Sequence, residues 1–360
     1  MSSLLKSTRI PGRLRHDLAP PLGPVPSPAH RMSVEQLRCH LQTAIELEHS
    51  TIPPYLCALY SMDERRNAFA HGVVQGVVME EMLHMIQAAN LLVAIGGRPT
   101  LTSPHFIPEY PTFLPHSDDA FLVPLQRFSR ETLGVFLQIE MPAAASAPPE
   151  PDRYHTIGQF YAAVRDTIVS YGDAIFTGDP NHQVTPDQYY GGGGEIVPVR
   201  GVADALEAID QIVGQGEGID GRLVDTNHVL FGERIEYAHY FRFNEVAEGR
   251  RYRPGDDPQR PPTGEPVPVD WDAVRPMRAN PKLADYPVDS ALWAMTRDCN
   301  YVYMRLLNVI EAGCTGAPSR LGEAIPLMYD LKYRASALMN VPLGDAPGET
   351  AGPSFEYLAF

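Results

Sequence analysis

Two Glu-x-x-His motifs carry the strongest chemical signal in the chain: Glu81-Met82-Leu83-His84 and Glu236-Tyr237-Ala238-His239. At i, i+3 on a helix the two side chains share a face, and a carboxylate beside an imidazole offers the oxygen and nitrogen donors that suit iron or manganese. One such pair on a helix surface would mean little. Here Val77, Val78, Leu83 and Ile86 flank the first motif, and Ile235, Tyr237 and Phe241 the second. Ionisable groups on such apolar helices are costly unless they pair or hold a metal. A carboxylate-bridged dimetal site in a four-helix bundle needs two more Glu, one from each remaining helix. Glu140 stands alone in the apolar run Phe136 to Met141, while the first helix offers Glu46 and Glu48. Glu48 is the better choice, because Tyr55 follows seven residues later on the same face, where a phenol can reach the metals or a bridging carboxylate. The step from Glu48 to Glu81 also fits two antiparallel helices whose ligands meet at one level. The expected metal ligands are therefore Glu48, Glu81, His84, Glu140, Glu236 and His239, with Glu81 and Glu236 bridging.

Four helices must position these groups. Helix A is expected over about 33–62, opened by Ser33 and Gln36 as a capping box and interrupted by Pro53 and Pro54. Helix B runs from about 67 to 95 and stops at Gly96-Gly97-Arg98-Pro99. Helix C covers about 121–140 and helix D about 225–247. Between C and D lies a mixed insertion, 143–220, with helices near 156–171 and 202–213 and a strand-like Ile196–Val199. Its Gly191–Gly194 run lacks the Lys-Ser/Thr of a phosphate loop. The chain thus divides into a Pro-rich arm (1–31), the bundle (32–248), a Pro-rich connector (249–288) and a C-terminal helical pair with tail (289–360). The fold class is all-α.

Several neighbours invite weighing. His228, eight and eleven residues before Glu236 and His239, could serve catalysis or only cap helix D. His49 points about 100° from Glu48 and reads as structural. Glu46, Glu80 and Glu233 read as solvent-facing or Arg-paired, and Arg242 as an ion-pair partner. Trp293, Tyr301 and Tyr303 read as packing, and Glu217 as a helix cap.

The order Glu, Glu-x-x-His, Glu, Glu-x-x-His, with Tyr55 after Glu48, is similar to that of the ferritin-like superfamily. More narrowly, Ala44–Tyr60, Gln215-Gly216-Glu217-Gly218, Ala238–Phe243 and Ala351–Glu356 resemble the iminophenyl-pyruvate dimer synthase family, including the ferritin-like part of the violacein- and rebeccamycin-type chromopyrrolic acid synthases. The resemblance covers about 30–356. It implies a ferritin-like bundle holding two Fe ions, with Mn as an alternative, and O2 as co-substrate. The implied activity is a non-haem diiron oxidase or oxygenase acting on a small amino-acid-derived or imino-acid substrate in specialised metabolism, with imine dimerisation as one form. Two alternatives stay open: dimanganese catalase-like peroxide disproportionation, and a non-catalytic metal-binding protein. The electron donor is not indicated.

Composition limits the rest. With 29 Lys+Arg against 44 Asp+Glu, a formal charge of -15, nucleic acid and anionic membranes are poor partners. Uninterrupted apolar stretches such as Leu91 to Ile95 are far shorter than the roughly 18 residues of a membrane span, and no secretory signal pattern opens the chain. A cytoplasmic homodimer is the expectation. Cys39, Cys57, Cys299 and Cys314 have no metal-like spacing and read as reduced core residues.

Overall fold

A computed structural model describes residues 32–144, 146–217 and 237–359. Among these are eight α-helices and no β-strand: α1 (Val34–Ser61), α2 (Ala68–Ala94), α3 (Arg130–Ile139), α4 (Ile157–Tyr171), α5 (Val202–Gly216), α6 (His239–Glu248), α7 (Ala291–Cys314) and α8 (Ala324–Leu338). The Ile196–Val199 segment reads as a strand in sequence but forms none; the Val197 and Val199 amides instead donate to the side-chain oxygens of Gln87 and Gln183.

Helix α1 opens on the capping box, with Ser33 N donating to Gln36 and Gln36 N to the Ser33 hydroxyl. Pro53 and Pro54 lie within it. Pro54 has no N–H to offer the Ser50 carbonyl four residues back, and that oxygen accepts the Tyr110 hydroxyl at 2.7 Å instead. The outside phenol thus repairs the helix two residues beyond Glu48. Helix α2 pairs lengthwise with α1 and ends as the sequence predicts, with Gly96 at φ 77° and the Gly96 and Gly97 amides bonded to Val93 and Leu92 carbonyls. By length and composition α2 is apolar enough to cross a membrane, but 89% of its most apolar stretch is buried inside this protein. A helix apolar all round is the central helix of a bundle.

Helix α3 is half the length the sequence suggests. Ser129 caps it, accepting from Thr132 N, and Phe121 to Phe128 lie outside any helix, with Val123 paired to Thr112. The apolar residues there alternate, Val123 and Leu125 being buried and Leu122 exposed, and Pro124 disfavours a helix. Of the predicted helix D, residues 225–236 lie outside the described residues; α6 closes at Gly249 in the left-handed region, φ 67°. Helices α3 and α6 pack together and α6 packs on α2, completing the four-helix core. Within the insertion, α4 leans on α1 and α5 on α2. Helices α7 and α8 form a pair against the opposite side, α8 touching α1 and α7 touching α2. Cys57, Cys299 and Cys314 are buried; Cys39 is exposed, contrary to its core reading.

Candidate metal centre

The four-helix core brings Glu48, Glu81, His84, Glu140 and His239 together, all 3% exposed or less. Two overlapping groups emerge, Glu48–Glu81–His84 and Glu81–Glu140–His239, and Glu81 belongs to both. His84 Nδ1 lies 3.5 Å from Glu48 and 3.8 Å from Glu81. His239 Nδ1 lies 3.0 Å from the same Glu81 oxygen and 3.3 Å from Glu140. The two imidazoles stack at 5.6 Å between centroids. Glu236 and His228 lie outside the described residues.

The surrounding hydrogen bonds fix which imidazole nitrogen faces the centre. His84 Nε2 meets the Gln215 side-chain oxygen at 2.7 Å, and the Gln215 amide nitrogen donates to the Gly193 carbonyl. His239 Nε2 donates to Glu80 at 2.6 Å, and Arg242 donates to the same Glu80 oxygen. With both Nε2–H groups committed outward, both Nδ1 atoms turn to the carboxylates. Such a second partner orients a ligating histidine and raises its basicity.

Each terminal carboxylate carries a phenol. Tyr55 donates to Glu140 and Tyr161 to Glu48, both at 2.5 Å, and the Thr51 hydroxyl is 3.0 Å from Glu81. Burial, then the nearby carboxylates, push both tyrosine pKa values well above 10, so both phenols stay protonated as donors. The Tyr55 ring packs edge-on against Phe136 at 4.5 Å and Phe243 lies against both, excluding water from that end.

The electrostatics ask for cations. Burial and the neighbouring Glu140 raise Glu81 to about 7. Burial works to depress His84 and His239, but the carboxylates facing them overcome it, and His239 rises well above its usual value. Glu80 goes the other way: burial opposes ionisation, yet Arg242 and His239 hold its carboxyl below the usual value. Among the described residues no Arg or Lys forms a salt bridge with Glu48, Glu81 or Glu140, and Arg242 donates to Glu80. The His239 Nδ1 atom is buried without a hydrogen bond although two carboxylate oxygens lie 3.0 and 3.3 Å away. In the metal-free fold protons on the imidazoles and Glu81 balance this cluster; once they leave, an imidazole lone pair and carboxylate oxygens converge on one buried space and repel one another unless a cation lies between them, so the donor set fits a pair of divalent metal ions.

Residues 41–248, more than half of the chain, match the family model described as Ferritin-like. The chain belongs to the ferritin-like family. It is 27% identical over 342 residues to dichlorochromopyrrolate synthase of Lentzea aerocolonigenes, and 27% identical over 385 residues to 2-imino-3-(indol-3-yl)propanoate dimerase of Chromobacterium violaceum. Those alignments take in 81% and 96% of this chain but only 30% and 36% of the relatives, so the ferritin-like chain spans about a third of their length. A ferritin-like protein from Caulobacter vibrioides, whose crystal structure is at 1.95 Å, shares the fold at a TM-score of 0.61 with 22% identity, covering 85% of this chain and 96% of that one.

Sequence reasoning missed Tyr161, Thr51 and the structural importance of Glu80 and Gln215. Glu80 reads as solvent-facing or Arg-paired; it does meet Arg242, but fully buried and on His239. The signal was available, since a helix apolar on every side has no solvent face for Glu80. Gln215 sits in a motif noted for its resemblance, though without a role. Tyr161 had no signal, because α4 reaches the bundle from the insertion. Glu217 accepts from Gly158 N in the first turn of α4 at 2.6 Å and from Ala143 N at 2.9 Å, while the start of helix D, which it reads as capping, lies outside the described residues.

Proposed function

We propose that this ferritin-like protein is a non-haem diiron oxidoreductase that uses O2 to oxidise a small amino-acid-derived or imino-acid substrate. The observation that carries the reading is the convergence of two histidine Nδ1 atoms and three carboxylates, with Glu81 common to both groups. Glu48 and His84 would hold one ion, Glu140 and His239 the other, and Glu81 would bridge; Glu236 is assigned beside it from its motif alone. Two ferrous ions in this site would supply the electrons for reducing O2. The chain's own contribution is geometric and protonic. Gln215 and Glu80 hold the imidazoles in the ligating tautomer, Tyr55 and Tyr161 keep the terminal carboxylates aimed inward, and the Tyr55, Phe136 and Phe243 rings exclude water. The similarity to a dichlorochromopyrrolate synthase and a 2-imino-3-(indol-3-yl)propanoate dimerase supports imino acids as the substrate class and their oxidative coupling as the reaction; fold alone would not.

The test is metal content per chain on protein purified without oxygen, followed by the optical spectrum as O2 is admitted to the ferrous form. About two irons per chain with a transient visible band is the expected result. Two manganese with rapid peroxide disproportionation would replace it with a catalase-like activity on the same ligands. Failure to take up metal on reconstitution would end both.

A further inference from the structure

The face of the α1–α2 pair turned away from the metal centre borders a second cavity, of about 340 Å³, closed from the other side by α7 and α8. His49 and Met82 line it, each one residue from a candidate metal ligand. A single step along a helix turns a side chain by about 100°, so the cavity and the metal centre occupy different faces of the same two helices. The volume falls at the small end of ligand sites, with room for a molecule of one or two rings.

The lining defines a chemistry. Met79, Met82 and Met85 recur at i, i+3 and i+6 of α2 and present thioethers, which accommodate flat aromatic rings. Tyr190 and Tyr329 stand at the mouth 66% and 72% exposed and form an aromatic rim. Beneath them His49 is buried; its Nε2 meets the Tyr303 hydroxyl at 2.7 Å and its Nδ1 has no hydrogen-bond partner among the described residues. The one charged residue of the lining among the described residues is Lys332 on α8, one of three lysines in a chain of net charge -15. It forms no ion pair among the described residues. A cation left unpaired beside an apolar aromatic pocket, on a protein otherwise repulsive to anions, selects a ligand with a ring to bury and a negative group to leave at the rim.

We propose that this cavity is a second binding site, for a small aromatic carboxylate, separate from the metal centre. The inference does not rest on the diiron reading and holds for the metal-free protein. A physical link between the two sites exists nonetheless. Tyr189, Tyr190 and Gly191 border the cavity, while Gly193, two residues on, packs against Glu80 and accepts from Gln215, the residue that holds His84.

Calorimetric titration of chelator-treated protein with indole-3-propionate tests the site, with indole-3-propionamide as the neutral control. Saturable 1:1 binding of the acid, weaker binding of the amide, and a roughly tenfold loss of affinity in Lys332→Glu with retention in Lys332→Arg are expected. Met82→Trp, which fills the cavity, should abolish binding with the helical circular dichroism unchanged. If that variant does not fold, the exposed Lys332 pair still decides. Absence of saturation at about 1 mM probe, equal affinity for acid and amide, or indifference to Lys332→Glu would each overturn the proposal. So would sedimentation showing that Tyr329→Glu breaks a dimer while the wild type takes up no probe, since the face would then belong to a second copy.

Discussion

Two phenols from different parts of the chain grip the two terminal carboxylates of the centre, Tyr55 from α1 and Tyr161 from the insertion helix α4. A hydrogen bond to a charged group contributes about 1.5–3 kcal/mol, and removing the Tyr161 hydroxyl also leaves Glu48 free to swing. Tyr161→Phe is therefore expected to lower the stability of the metal-free protein by about that amount, read from urea unfolding, and to weaken binding at the Glu48–His84 end more than at the other. Glu81 is different in kind because both ligand groups contain it. Glu81→Ala should eliminate both ions, whereas Glu48→Ala should spare the ion held by Glu140 and His239; metal per chain by plasma mass spectrometry separates the two outcomes. Retention of two ions in Glu81→Ala would remove it from the bridging role.

The elements are placed by devices that bring remote segments to the same point. The Gly193 loop is the clearest: φ is +99°, and a Cβ there would come within 2.9 Å of the Glu80 side chain and 3.0 Å of the α2 backbone. Only glycine permits both the left-handed backbone and the approach. Gly193→Ala should cost about 1–3 kcal/mol from backbone strain and, by lifting the loop from Glu80 and Gln215, loosen both histidines. Thermal unfolding and metal occupancy measured together check this; a lower melting temperature with full occupancy would confine the loop to a structural role. Helix α3 makes a related point in the opposite sense. It is short, yet long enough to deliver Glu140 at its C-cap, with the Glu140 amide bonded to the Phe136 carbonyl.

For the molecule as a whole, the buried cluster ties metal binding and stability to pH. Glu81 sits near 7 in the metal-free fold, and His84 and His239 are raised above their usual value, so metal ions must displace protons from all three. Apparent metal affinity is expected to fall as pH drops below about 7, with protons released on binding; a potentiometric titration measures both. Stability of the metal-free protein follows the same groups. Each binds its proton more tightly folded than unfolded, and so does Glu217, which burial raises to about 7. The fold therefore loses stability as pH rises from the unfolded carboxyl value of roughly 4.3 through about 7, and metal-free protein should melt lower at about pH 8 than at about pH 6. Loading with metal should remove the share of Glu81, His84 and His239, and Glu217→Gln the share of Glu217. His49 acts oppositely: held neutral to about 3, its contribution is lost as pH falls below roughly 6.5.

How much of this was legible beforehand follows the range of the interactions. Residue types and local spacing determined the two Glu-x-x-His motifs, the choice of Glu48 with Tyr55, the lone Glu140, the caps at Ser33 and Gly96, and hence the bundle and five of the donors that converge in it, because each is a matter of helical period within a few turns. The apolar run over 121–129 suits a helix or a non-helical segment equally, and Pro124 with a tertiary pairing of Val123 to Thr112 decides against the helix. The partners of the donors belonged to tertiary structure alone. Glu80 on His239, Gln215 on His84 and Tyr161 on Glu48 join residues 113 to 159 positions apart, and no local period reports which side chains a closed bundle and its insertion will press into one dry space.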